Sequence, residues 1–254
     1  MQVSLVKIFL QFSIIMSMLY LYATSFNEAM FRTKRPRYIM RGELRTPSPP
    51  EDYCRRGLCP PGVNHIACKN PFWGPQCMKP REGVNMDKLK ISITDLFNNL
   101  RNLLSKPAYF KNLPRAKPLP KVSWDHELSI LAMRITNFCN DDKVSECANT
   151  ARFLNVGRSS LKSEAVTMSA SSFVVHVIRD LWFNHSATVE PTFVTSFPTS
   201  ASIKDYALAN LINKNVMYVG CGMLVQGSGK DKAFYFTCLF NESVKPGQKL
   251  YEIV

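Results

Sequence analysis

The chain has no run of about 20 apolar residues, so no stretch has the length of a comfortable membrane span. Glycine and proline are ordinary at 11 and 16, which excludes collagen-like and low-complexity character. No Lys/Arg-rich run follows residue 50 and no nucleic-acid motif is present, so nucleic acid is not an expected partner. Histidine is scarce: only His65, His126, His176 and His185 occur, and no two of them show an i, i+4 metal spacing. Zinc clusters usually show Cys-x2–4-Cys pairs, and the tightest spacing here is Cys54 to Cys59.

What is there is the balance of a globular core, with 46% hydrophobic and 20% charged residues over 254 positions. The formal net charge is +13. Residues 1–50 contribute +5 of it, and the remaining +8 is spread thinly, as on a solvated surface. Ile8–Ala23 is apolar, follows the single cation Lys7 and leads to Ala23-Thr24-Ser25, with small residues before a cut after Ser25. That is the layout of a secretory signal peptide over residues 1–25. The rival is an uncleaved anchor, which the basic residues after the run would orient with the rest of the chain in the cytosol. Residues 26–53 are basic and proline-containing, and are expected to be a lead-in without regular structure.

Eight cysteines in a chain with a signal peptide predict four disulfides in an oxidising compartment. One pair follows from the local pattern. Val216–Val225 and Ala233–Phe240 are β-prone apolar runs, and the segment Gly227 to Asp231 between them reads as a hairpin loop. A hairpin centred between Gly229 and Lys230 pairs residues whose numbers sum to 459, which sets Cys221 opposite Cys238. Helices alternate with connectors elsewhere. Ile93, Leu96, Phe97, Leu100, Leu103 and Leu104 form one apolar stripe. Ser123 is expected to cap a second helix with Leu128, Leu131, Ala132, Ile135 and Phe138 inward. Phe173 to Trp182 carries a third, and Ser202 to Asp205 caps a fourth. The reading is an α/β chain: a Cys-rich module at 54–84 and a mixed domain at 85–254.

These motifs resemble the CAP superfamily of cysteine-rich secretory, antigen 5 and pathogenesis-related 1 proteins, and the insect antigen 5 branch in particular. Tyr53-Cys54, His65-Ile66-Ala67-Cys68 and Phe72-Trp73-Gly74-Pro75-Gln76-Cys77 are similar to that branch's opening. Asn98 to Asn102, Val122 to Leu128, Val219-Gly220-Cys221-Gly222, Phe236-Thr237-Cys238, Gly247-Gln248 and Tyr251-Glu252 resemble its later segments. The resemblance implies a three-layer α-β-α sandwich with a cleft. It also implies the pairs Cys54–Cys68, Cys59–Cys147, Cys77–Cys139 and Cys221–Cys238.

Many members of the family hold two His and two acidic side chains in the cleft, a set that can bind zinc. Carried over one at a time, those positions fall on Phe97, Arg158, His185 and Ala207. None keeps its chemistry, so no catalytic residue, metal or cofactor is expected. His176 sits in a mostly apolar helix and is read as packed or hydrogen-bonded, and Ser159-Ser160 has no assignable base. The expected function is that of a secreted, non-enzymatic protein acting on an extracellular protein or an apolar small ligand. A sterol or fatty-acid carrier is the alternative, and a zinc-assisted hydrolase is disfavoured by the missing tetrad. Channel modulation is disfavoured too, because the chain ends 16 residues after Cys238 and shows no additional Cys-rich module there. The sequons Asn184-His185-Ser186 and Asn241-Glu242-Ser243 offer glycan sites, with Asn241 the better placed beyond a strand.

Overall fold

The central hairpin joins β4 (Tyr218–Gln226) to β5 (Ala233–Phe240), and every pair in it follows the same register, from Val219 opposite Phe240 to Gln226 opposite Ala233. A computed structural model describes residues 52–107, 112–139, 147–163 and 167–254. The signal-peptide and most of the lead-in assignments lie outside the described residues. β3 (Gly157–Ser163) pairs antiparallel with β5 on one side of the hairpin. On the other, β1 (Arg81–Gly83) runs antiparallel to β4, and the two-residue β2 (Ser123–Trp124) runs parallel to it. β1 therefore joins the sheet from within the span read as the Cys-rich module.

Alternation along the hairpin makes two cores. Val219, Cys221, Met223, Phe234, Phe236, Cys238 and Phe240 bury on one face, in one core with α1 (Lys90–Leu103), α3 (Ala170–Val175), the short α4 (Thr192–Thr195) and α5 (Ile203–Ile212). Leu239 buries on the other face with Leu128, Leu131, Ala132 and Ile135 of α2 (His126–Thr136). Helices thus cover both sides of the sheet, which is an α-β-α sandwich. α2 lies close because Gly220 and Gly222 present no side chain to it. A Cβ on Gly220 would overlap the backbone of Ser129, and one on Gly222 the backbone of Met133.

The cap of α2 differs from the expectation. Asp125, not Ser123, is the N-cap, with its Oδ1 accepting from the Leu128 N–H at 2.9 Å. Ser123 is drawn into β2, where it stands opposite Tyr218. The strand pairing takes the backbone of Ser123, and the next residue with a short side-chain acceptor in line with the helix is Asp125. The third helix also departs from a regular α-helix: after α3, His176–Phe183 is a π-helix, and Trp182 from it stacks on Phe236 with ring centroids 5.7 Å apart. Ser202 and Asp205 form a reciprocal capping box at the start of α5.

α1 is tied to the rest by polar side chains. Asn98 brackets the backbone of Val122, donating to its carbonyl at 3.0 Å and accepting from its N–H at 2.8 Å. Arg101 is 2% exposed and donates to the carbonyls of Leu211, Asn213, Val216 and Pro120. Two of these are end-of-helix carbonyls of α5, groups that lack partners within their own helix. Burial lowers the guanidinium to about 10, still far above neutral, so it stays charged.

All eight cysteines are disulfide-bonded: Cys54–Cys68, Cys59–Cys147, Cys77–Cys139 and Cys221–Cys238. Ile66 of the N-terminal module buries in the same cluster as α2, and His65 bridges to Cys147. The module is part of the outer layer rather than an appendage. Among the described residues, no helix is long and apolar enough to cross a membrane.

Candidate functional site

The four carried-over positions divide between two environments. Phe97 is fully buried on α1 and meets Phe240 edge-on, with centroids 5.9 Å apart. Ala207, on α5, is 2% exposed in the same core. Both fill space on the face that the resemblance reads as a cleft. Arg158 stands opposite Leu239 in the β3–β5 ladder, so it shares the face that Leu239 turns to α2. The β3 residue that meets α5 is its neighbour Ser159, whose Oγ accepts from Asn210 Nδ2 at 3.1 Å. The structure therefore does not gather Arg158 with Phe97 and Ala207.

His185 keeps polar company. It lies in the short 3-10 turn Asn184–Ala187 after the π-helix, with Nε2 2.8 Å from Asp205 Oδ1 and Nδ1 2.8 Å from Thr188 Oγ1. Asp205 Oδ2 also accepts from the Ser202 N–H at 2.7 Å. Burial would raise the Asp205 carboxyl, but hydrogen bonds from Ser202 and His185 outweigh it and hold the group below its ordinary range. An ionised carboxylate accepts only, so His185 Nε2 donates to Asp205 Oδ1. The Thr188 oxygen is also 2.9 Å from the His185 carbonyl, the back-bond of a threonine in a helical turn.

A pocket of about 320 Å³ opens beside this pair, lined by Glu190, Val189, Phe193 and Pro198 along with His185 and Asp205. It is distinct from a 480 Å³ groove between the polar face of α1 and Pro118–Lys121, and from a 550 Å³ hollow in the N-terminal module around Arg55 and Arg56.

Zinc does not fit these residues. Phe97 and Ala207 have no donor atom, and both ring nitrogens of His185 are engaged. Among the described residues, no three His, Cys, Asp or Glu side chains gather as a metal site. The sequons also differ in setting. Asn241 uses its Oδ1 to accept from the Met217 and Tyr218 N–H groups and its Nδ2 to donate to Asn215. Asn184 is exposed, while the Ser186 of its sequon is buried.

Sequence reasoning found His185 by position but missed Asp205 as its partner. Ser202-x-x-Asp205 was legible as a helix cap, and a cap leaves one carboxylate oxygen free for a second bond. Nothing in a 20-residue separation pointed to which side chain would take it.

A model of the cysteine-rich secretory protein family, CAP, matches residues 94–240. The chain belongs to this family. Tabinhibitin 3 of Tabanus yao is 30% identical, over 79% of this chain and 78% of that protein. A venom allergen 3 homolog of Dinoponera quadriceps is 26% identical, over 80% of this chain and 90% of its own length. Among solved structures, NaASP2 with Zn2+ superposes with a TM-score of 0.54 at 15% identity, covering 70% of this chain and 90% of that one. At that identity the likeness is one of fold.

Proposed function

We propose that the protein is a secreted, non-enzymatic binding protein that acts outside the cell on a protein or a small ligand. One observation carries the reading: the family frame is kept while the positions of the polar cleft are packed with Phe97 and Ala207. A side chain without a proton or a lone pair cannot transfer a proton or ligate a metal. The apolar residues there fill the core and meet other core residues, so they are better suited to rigidity than to enclosing a lipid. The four disulfides and the apolar leader support an extracellular setting. The venom-allergen and tabinhibitin relatives share the frame, and this reading extends their likeness to a role in binding.

The test is thermal melting with added zinc and with a chelator. A ligand that binds only the folded state stabilises it by RT ln(1 + [L]/Kd). Micromolar zinc and excess chelator are both expected to leave Tm unchanged. A zinc-dependent rise in Tm would overturn the non-enzymatic reading and restore a metal-assisted hydrolase. Mass spectrometry of what the natively secreted protein retains then identifies the partner.

A further inference from the structure

We propose that the pocket beside the His185–Asp205 pair binds a small ammonium cation carried on an apolar body, an arylalkylamine in chemical class. The proposal rests on the binding reading above and names a ligand for it.

The charge around this pocket runs against that of the molecule. The chain has a formal net charge of +13, yet the pocket is lined by Asp205 and Glu190 and by no Lys or Arg. Asp205 is held ionised by its hydrogen bonds. Those bonds use one lone pair on each oxygen, from His185 on Oδ1 and from the Ser202 N–H on Oδ2. A carboxylate offers about four such sites, so each oxygen keeps one for a ligand. Glu190 is exposed, and no hydrogen bond or ion pair ties its side chain among the described residues. An ammonium group brings three donors and no acceptor, which is the complement of two carboxylates.

His185 backs the Asp205 carboxylate. Its Nε2 donates to Asp205 Oδ1 and so takes one acceptor site of the carboxylate. The imidazole also fixes the carboxylate in place, so that the anion is oriented before a ligand arrives. The remaining wall is apolar. Phe193 is 5% exposed and Val189 8% exposed, and both belong to the main core, which holds them rigid. With Pro198 they give a dry surface against which a ring or short chain can lie. A volume of 320 Å³ is at the lower end of the range of ligand pockets, about 300–1,000 Å³, and suits a ligand of small size. An anion is excluded by Asp205 and Glu190, and a bare metal ion by the absence of a third close donor among the described residues.

Isothermal titration of the full secreted protein with tryptamine, against N-acetyltryptamine as the uncharged control, tests the proposal. Tryptamine is expected to bind with one site per chain and the acetylated form at least about tenfold more weakly, as for loss of one charge-assisted contact. Glu190→Gln is expected to weaken tryptamine about tenfold, and Asp205→Asn by at least as much. Because Asp205 also caps α5, its variant is read only alongside an unchanged Tm, and Glu190→Gln carries the test if that variant is unstable. No heat with tryptamine at millimolar concentration, or equal binding of the two compounds, overturns the amine site. Neither result touches the zinc-melt outcome, so failure of this ligand and failure of the non-enzymatic reading are separately visible.

Discussion

Arg101 shows how much one side chain can hold. Its guanidinium satisfies carbonyls from the loop before β2, from the end of α5 and from the turn into β4. Truncation would take a donor from four carbonyls in a site that is 2% exposed, and of these Asn213 alone keeps another, the Val216 N–H. Each buried polar group left unmade costs about 1–3 kcal/mol. Arg101→Met is therefore expected to lower stability by at least about 3 kcal/mol in urea melts. Arg101→Lys keeps the charge but has a single nitrogen, so it cannot reach both sides and should recover less than half of the loss. Full recovery by Lys would mean that charge, not the planar fork, is what the site requires.

Residues of this kind mark the limit of what was legible beforehand. The stripe Ile93, Phe97, Leu100 announced α1, because spacing on one helix is local information. Arg101 lies within the same segment and gave no sign of its role, since its partners are up to 115 residues away. The hairpin register could be read in advance because two apolar runs and one glycine-containing loop leave a single pairing that opposes the two cysteines. The Asp125 cap could not, since it depends on β4 recruiting Ser123 into a strand. Phe97 and Ala207 were found by resemblance, whereas the His185–Asp205 contact needed the tertiary structure.

At the scale of elements, the tightest contact is α2 against β4. The helix backbone sits directly over Gly220 and Gly222, so the distance between layers is set by two hydrogens. Gly222→Ala is expected to destabilise by about 2–3 kcal/mol, the cost of overpacking against backbone that cannot rotate away. Gly229 in the hairpin loop is the control. Its φ is +58° and nothing lies within 4 Å of an added Cβ, so Gly229→Ala meets backbone strain but no collision. It should cost only about 1 kcal/mol. Equal losses in chemical denaturation would show that the glycines of β4 serve backbone conformation rather than helix approach.

At the scale of the molecule, the N-terminal module is docked through His65. Nε2 lies 2.9 Å from the Asn149 carbonyl, Nδ1 accepts from the Ala67 N–H at 3.0 Å, and the ring stacks on Tyr53. Burial lowers its pKa below the ordinary 6.5, with a smaller opposing effect from the Asn149 hydrogen bond. The sign follows from linkage: a group harder to protonate when folded contributes stability that is complete above 6.5 and is lost as pH falls toward its folded value. Tm is expected to decline from pH 7 to pH 5, before the carboxylates titrate. His65→Gln, which can still donate to Asn149 but cannot take up a proton, should flatten that decline while lowering Tm overall. An unaltered slope in the variant would assign the acid sensitivity elsewhere.

The nested disulfides change what it means to cut this chain. Cys59–Cys147 encloses Cys77–Cys139, with separations of 88 and 62 residues. Any single break of the backbone between Cys59 and Cys147 leaves both pieces on one covalent framework, held by the outer bridge and, inside the inner loop, by two. Most of the module, with α1 and α2, falls within that span. A protease that nicks there severs a peptide bond without releasing a fragment, and the damage stays hidden until a reductant is added. In an oxidising, protease-rich fluid, this part of the molecule behaves as a ring rather than as a line.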